Sequence, residues 1–132
     1  MTLDEEIKSK FLTETETILE GHLDDLEGMF QFHEDGTIEL LGEYREIRPE
    51  DRILIYLIAR RYQFEADLAE SDSIPYSEIY GVLLDKKKST VRGYFMNLRE
   101  DGFARKVEDG HELVVERLPE AIDRIDSNGI GD

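Results

Sequence analysis

Residues 53–59 read Ile-Leu-Ile-Tyr-Leu-Ile-Ala, and no other stretch of the chain restricts its fold as strongly. The run follows Arg48-Pro49-Glu50-Asp51, where proline suits the first helical position and two carboxylates oppose the helix dipole favourably. A helix from Pro49 to about Glu65 that is apolar nearly all round must be enclosed, so it is expected to be the buried central helix of one domain. The same run falls far short of the ~20 apolar residues that span a bilayer, so no membrane partner is expected. The start, Met1 to Glu6, is acidic rather than a basic signal region, and a cytoplasmic protein is expected. At 132 residues the chain can bury such a helix unaided, and having no cysteine it offers neither disulfides nor thiolate chemistry.

From Leu3 to about Phe30 the apolar residues Leu3, Ile7, Phe11, Ile18, Leu23, Leu26 and Phe30 recur mostly at three to five residues, apart from a polar interruption around Thr13 to Thr17. This predicts an amphipathic helix, with a break near Gly21 left open, in an N-terminal helical region over residues 1–36. Its apolar stripe either packs on its own domain or pairs with a second subunit to make a homodimer. His33-Glu34-Asp35-Gly36 reads as a turn and Thr37 to Leu41 as a short strand.

Beyond the central helix, Ile74 is expected to form a one-residue strand, and Pro75 to open a short helix to about Leu84 with Ile79 and Leu83 inward. Asp85-Lys86-Lys87-Lys88 is a tight basic turn. Ser89 is the expected N-cap of a third helix, Thr90 to about Glu100, closed by Asp101-Gly102. Phe103 to Val107 and His111 to Glu116 read as two strands joined by Glu108-Asp109-Gly110, with Gly110 in a left-handed conformation. A three-residue loop would place Lys106 opposite Glu112 and Phe103 opposite Val115. A last helix is expected from Pro119, carrying Ile122 and Ile125, and residues 127–132 are expected to be a disordered tail.

Placed at 100° intervals, Val91, Phe95 and Leu98 fall on one side of the third helix, with Ser89, Gly93 and Met96 opposite and Asn97, Thr90 and Arg92 beside them. The outward side is small, polar and partly basic. Gly93 costs about 1 kcal/mol of helix propensity relative to alanine, which fits either a close approach to another molecule or a tolerated surface glycine.

Lys88-Ser89-Thr90-Val91-Arg92, then Phe95, Leu98 and Arg99-Glu100-Asp101-Gly102-Phe103, preceded by Glu78-Ile79, resembles the DNA-binding domain of prokaryotic, especially archaeal, winged helix-turn-helix transcription regulators. The resemblance covers roughly Pro49 to Val115. It implies a mainly α fold with a small β-wing (α+β), here a winged helix-turn-helix over residues 37–126 with an N-terminal amphipathic helix, the third helix in the major groove of double-stranded DNA and the hairpin as wing.

Charge supplies an independent clue. The chain has 32 acidic against 16 basic residues and a net charge of -16, yet residues 86–106 hold seven basic residues and two acids, for a local charge of +5. Four of the six lysines lie in that window. A chain that otherwise suppresses cations and keeps them in one place fits phosphate neutralisation, and the expected DNA-binding residues are Lys86, Lys87, Lys88, Ser89, Thr90, Arg92, Gly93, Asn97, Arg99, Arg105 and Lys106. The acidic remainder fits a halophilic, archaeal cytoplasm, where molar salt screens self-repulsion; an acidic protein that binds a basic partner or mimics nucleic acid is the alternative.

An enzyme is not expected. His22, His33 and His111 are scattered without zinc-ligand spacing, there is no phosphate loop or nucleophile motif, and neither a cofactor nor a metal is implied. The sequence therefore predicts a sequence-specific DNA-binding transcription regulator, with a winged-helix module that binds protein instead of DNA as the other reading. It names no small-molecule effector.

Overall fold

The computed structural model describes residues 2–11 and 15–129. The chain is α+β, with helices packed around one long central helix and two small antiparallel hairpins. The N-terminal elements are α1 (Leu3–Phe11), α2 (Thr15–Gly21) and α3 (Leu23–Leu26), followed by β1 (Phe30–Phe32) and β2 (Ile38–Leu40). After a 3-10 turn at Gly42–Arg45 come α4 (Pro49–Glu65), α5 (Tyr76–Tyr80) and α6 (Lys88–Glu100), then β3 (Ala104–Val107) and β4 (Gly110–Leu113). A 3-10 turn at Val115–Arg117 leads into α7 (Leu118–Gly129). No helix among the described residues is long and apolar enough to cross a membrane.

The expected central helix is α4. It starts on Pro49 with Glu50 and Asp51 in its first turn, and Ile53, Leu54, Ile55, Leu57, Ile58 and Ala59 are all fully buried. It packs against α6, α7, β2 and β4, so burial on every side rather than on one stripe explains its apolar circumference. The first-turn carboxylates do more than face the dipole. Arg124 of α7 reaches Glu50 at 3.3 Å, the fully buried Asp51 at 3.0 Å and Asp101 past the end of α6 at 3.0 Å. One guanidinium thus fastens α4, α6 and α7 together, and the buried carboxylate is paired as burial of a charge requires.

The N-terminal region departs from one amphipathic helix. Among the described residues, 3–11, 15–21 and 23–26 are helical, with α2 and α3 parting at His22 just after Gly21, and Phe30 lies in a strand; residues 12–14, where the expected polar interruption begins, lie outside the described residues. Its pairing with β2 (Phe30 opposite Leu40, Phe32 opposite Ile38) crosses the turn at His33–Gly36, so the expected boundary at residue 36 falls inside a hairpin. The spacing of Leu23, Leu26 and Phe30 fits a helical period, but a strand at 38–40 needs a backbone partner, and Phe30-Gln31-Phe32 supplies it. Gln63 of α4 donates to the Gly36 carbonyl at 2.9 Å and ties this hairpin to the central helix.

The second hairpin also differs in register. Lys106 lies opposite His111 and Arg105 opposite Glu112, so the loop is two residues, Glu108-Asp109, and Gly110 belongs to β4. Gly110 is needed for a close approach rather than a left-handed turn. A Cβ there would overlap the Ile74 carbonyl and come within 2.8 Å of Pro75 Cα. Ile74 is bridged to His111, as the expected one-residue strand, through hydrogen bonds of 2.7 and 3.0 Å. At the C-terminus α7 continues to Gly129, so residues 127–129 of the expected tail are helical; residues 130–132 lie outside the described residues.

Candidate nucleic-acid interface

The site is built on α6. This helix begins at Lys88 with Lys87 as N-cap, so Ser89 sits two positions past the cap, and no side chain among the described residues caps the start. Its other end closes as expected. Gly102 adopts φ +85° and donates to Arg99 O at 3.1 Å, and Phe103 donates to Leu98 O at 2.9 Å, which satisfies two terminal carbonyls.

Val91, Phe95 and Leu98 are fully buried, while Ser89, Arg92, Met96 and Asn97 are exposed. Among the described residues nothing lies within 4 Å of a Cβ built at Gly93. The side of α6 away from the core is therefore left uncovered by the described residues. Thr90 and Tyr94 differ from their neighbours in being half-buried, Tyr94 against the core rather than free on the surface.

Lys88, Arg92 and Arg99 are spaced by four and seven residues, which places them in one narrow strip along an edge of α6. At the first end of the strip two tyrosines of α5 support the cations. Tyr76 and Tyr80 stack at 6.2 Å between centroids; Arg92 lies 5.5 Å from the Tyr76 ring and donates to the Tyr80 hydroxyl at 3.0 Å, and Lys88 lies 5.4 Å from the Tyr80 ring. These tyrosines were missed in the sequence. Their i, i+4 spacing puts them on one face of a helix, but only the approach of α5 to α6 shows which cations they meet.

At the other end Arg99 opens onto a groove between α6 and β3, about 550 Å³ in volume and lined by Met96, Arg99, Glu100, Ala104, Arg105 and Lys106. Three expected site residues thus meet there. Arg105 is held across the ladder by Glu112 at 3.0 Å, and Lys106 donates to the Val107 carbonyl at 2.8 Å. Burial pushes the Glu112 carboxyl up, helped by Asp72, while Arg105 pulls it back down. Lys86 is half-buried and 3.7 Å from Asp85, whereas Lys87 is exposed.

Asn97 stands on the opposite edge, towards Glu50. Burial raises the Glu50 carboxyl, while Arg124 and the nearby Asn97 side chain work against the rise. One edge of α6 is cationic and the other abuts carboxylates, so the strip has a direction as well as a charge.

His111, opposite Lys106 in the hairpin and stacked on Phe95 of α6, was not singled out by the sequence. It is fully buried, 4.6 Å from the Phe95 ring and 5.3 Å from Tyr76, and neither ring nitrogen has a hydrogen-bond partner among the described residues. Burial, reinforced by Arg99 and Lys106, lowers its pKa to about 4, so the ring is neutral near pH 7 and adds no charge to the site.

No family model matches the chain, and comparison with curated proteins and with solved structures returns no match.

Proposed function

We propose that the chain is a winged helix-turn-helix protein that binds double-stranded DNA and regulates transcription. The order of α4, the Ile74 bridge, α5, a basic turn, α6 and the β3–β4 hairpin supports that reading of the fold. In it α6 enters the major groove, and Arg105 and Lys106 on β3 act as the cations of a wing. One observation carries the proposal: an uncovered helix face is bordered by Lys88, Arg92 and Arg99 in line and continued by Arg105 and Lys106, on a molecule of net charge -16.

Phosphate contacts supply most of the affinity and Ser89, Arg92 and Asn97 are the side chains closest to a base-reading role. Tyr80, by holding the Arg92 guanidinium, positions it toward the duplex edge. Measuring retention of duplex DNA as a function of potassium chloride tests the proposal. Replacing Lys87 and Lys88 by glutamate should abolish retention at moderate salt and make the slope of log affinity against log salt shallower by roughly two, about one unit for each phosphate that is no longer neutralised. Unchanged binding and slope would overturn it.

A protein partner is the second reading, favoured by exposed apolar residues beside the basic turn. Leu84 is 84 % exposed and Met96 55 %. Substituting Leu84 by serine leaves DNA retention unchanged under the first reading.

A further inference from the structure

Seven of the ten arginines lie outside residues 86–106, and five of these, Arg48, Arg60, Arg61, Arg117 and Arg124, are paired with carboxylates. The other two, Arg45 and Arg52, form no ion pair among the described residues, although the chain holds 32 acids against 16 bases. Both line the same groove.

This groove has a volume of about 390 Å³ and lies between the β1–β2 hairpin, the first half of α4 and the segment 82–83 that follows α5. Arg52 and Tyr56 stand one turn apart on α4. Arg45 comes from the 3-10 turn, where its Nε donates to the Gly42 carbonyl at 3.3 Å and its terminal nitrogens meet no acceptor among the described residues. Arg52 is half-buried, and no described residue accepts a hydrogen bond from any nitrogen of its guanidinium, including the enclosed Nε. A solvated surface arginine keeps that nitrogen in water, whereas this one is withdrawn from water without a protein acceptor.

The Tyr56 hydroxyl likewise makes no hydrogen bond among the described residues. Burial raises its pKa against the pull of Arg52, so it remains a donor near pH 7. One carboxylate shares the groove. Glu39 Oε1 accepts from Gln31 Nε2 at 2.6 Å and lies 3.1 Å from His33 Nε2, so this acid is already engaged within the hairpin. Two unpaired guanidinium groups thus stand against one engaged carboxylate, and Leu40, Val82 and Leu83 supply an apolar wall.

We propose that this groove binds a small organic anion, a carboxylate or phosphate head group on an apolar body, with the head on Arg45, Arg52 and the Tyr56 hydroxyl and the body against Leu40, Val82 and Leu83. A guanidinium fork takes either head group through two parallel hydrogen bonds. An inorganic anion would leave the apolar wall uncovered, and the volume falls within the range of small-ligand pockets. The groove uses none of the cations of residues 86–106.

The test is a titration of the nitrogen-15-labelled chain with sodium benzoate, phenyl phosphate and neutral benzyl alcohol at fixed ionic strength, followed by amide chemical shifts. Saturable shifts at residues 38–40, 45, 52, 56 and 82–83 are expected for at least one of the two anions, with a dissociation constant of ~1 mM or tighter. The better anion names the head group, and benzyl alcohol should bind at least ~10-fold more weakly. Arg52→Gln and the exposed Arg45→Gln should each weaken binding at least ~10-fold, with the amide spectrum of α6 and the β3–β4 hairpin unchanged. No saturable shift with either anion, shifts confined to residues 86–106, equal affinity for the alcohol, or undiminished binding by both folded variants would each overturn the proposal. None of these outcomes depends on whether the α6 face binds DNA.

Discussion

The two hairpins that flank α4 are similar in size and opposite in construction. The β3–β4 hairpin is anchored by backbone contact, with Gly110 pressed against Ile74 and Pro75 and His111 buried beneath, and it turns Arg105 and Lys106 outward. The β1–β2 hairpin is held by a side chain, Gln63 reaching the Gly36 carbonyl, and it presents half-buried phenylalanines beside Asp24 and Glu27. One is closely seated and cationic at its edge; the other is apolar with an acidic rim. The difference teaches that charge placement, not the hairpin itself, separates the two surfaces.

The largest test of that contrast compares glycines. Gly110→Ala should destabilise the protein by about 3 kcal/mol or more, because the new Cβ meets backbone that cannot move without dislodging β4 from Ile74. Gly36→Ala, at φ +91° in open space, should cost only about 1–2 kcal/mol of backbone strain. Equal losses in thermal or denaturant unfolding would show that the two hairpins are seated alike.

Acid should separate them next. His111 is neutral in the folded protein down to about pH 4 but binds a proton near pH 6.5 once unfolded, so stability is full above pH 6.5 and declines as pH falls towards 4, by up to roughly 3 kcal/mol. In β2, hydrogen bonds from Gln31 and His33 lower the Glu39 carboxyl, so that contribution is present above the usual carboxylate range and is lost only as pH falls through and below it. Unfolding of His111→Met from pH 8 to 4.5 should be nearly flat where the parent declines, and more stable at pH 5, since the orphaned ring nitrogens are gone. A parallel decline in both chains would remove His111 as the cause.

The smallest effect concerns Gly93. Alanine there meets nothing among the described residues and should stabilise α6 by up to about 1 kcal/mol. If DNA approaches this face closely, the same change weakens retention; a stabilised chain with undiminished DNA affinity would make Gly93 an ordinary surface residue.

Several features were legible in the residues. The burial of α4 follows from an apolar circumference, and the inward face of α6 from Val91, Phe95 and Leu98 at helical spacing, because both depend on a period set by local backbone geometry. The reservation of cations for residues 86–106 is a fact of the sequence alone. Their arrangement was not. That Lys88 and Arg92 rest on Tyr80 and Tyr76 while Arg99 meets Arg105 and Lys106 across a groove depends on how α5 and β3 approach α6.

The sequence by itself settled which segments repeat with a helical period, which helix needs enclosing and where positive charge is concentrated, since each is a property of neighbours in the chain. Tertiary structure decided that Phe30–Phe32 is a strand, that Lys106 faces His111, that Arg124 gathers Glu50, Asp51 and Asp101, and that the buried His111 ring nitrogens have no hydrogen-bond partner among the described residues. Those outcomes require residues far apart in sequence to meet. A strand has no stability apart from its partner, and a buried charge none apart from its counter-ion, so neither can be read from a local pattern.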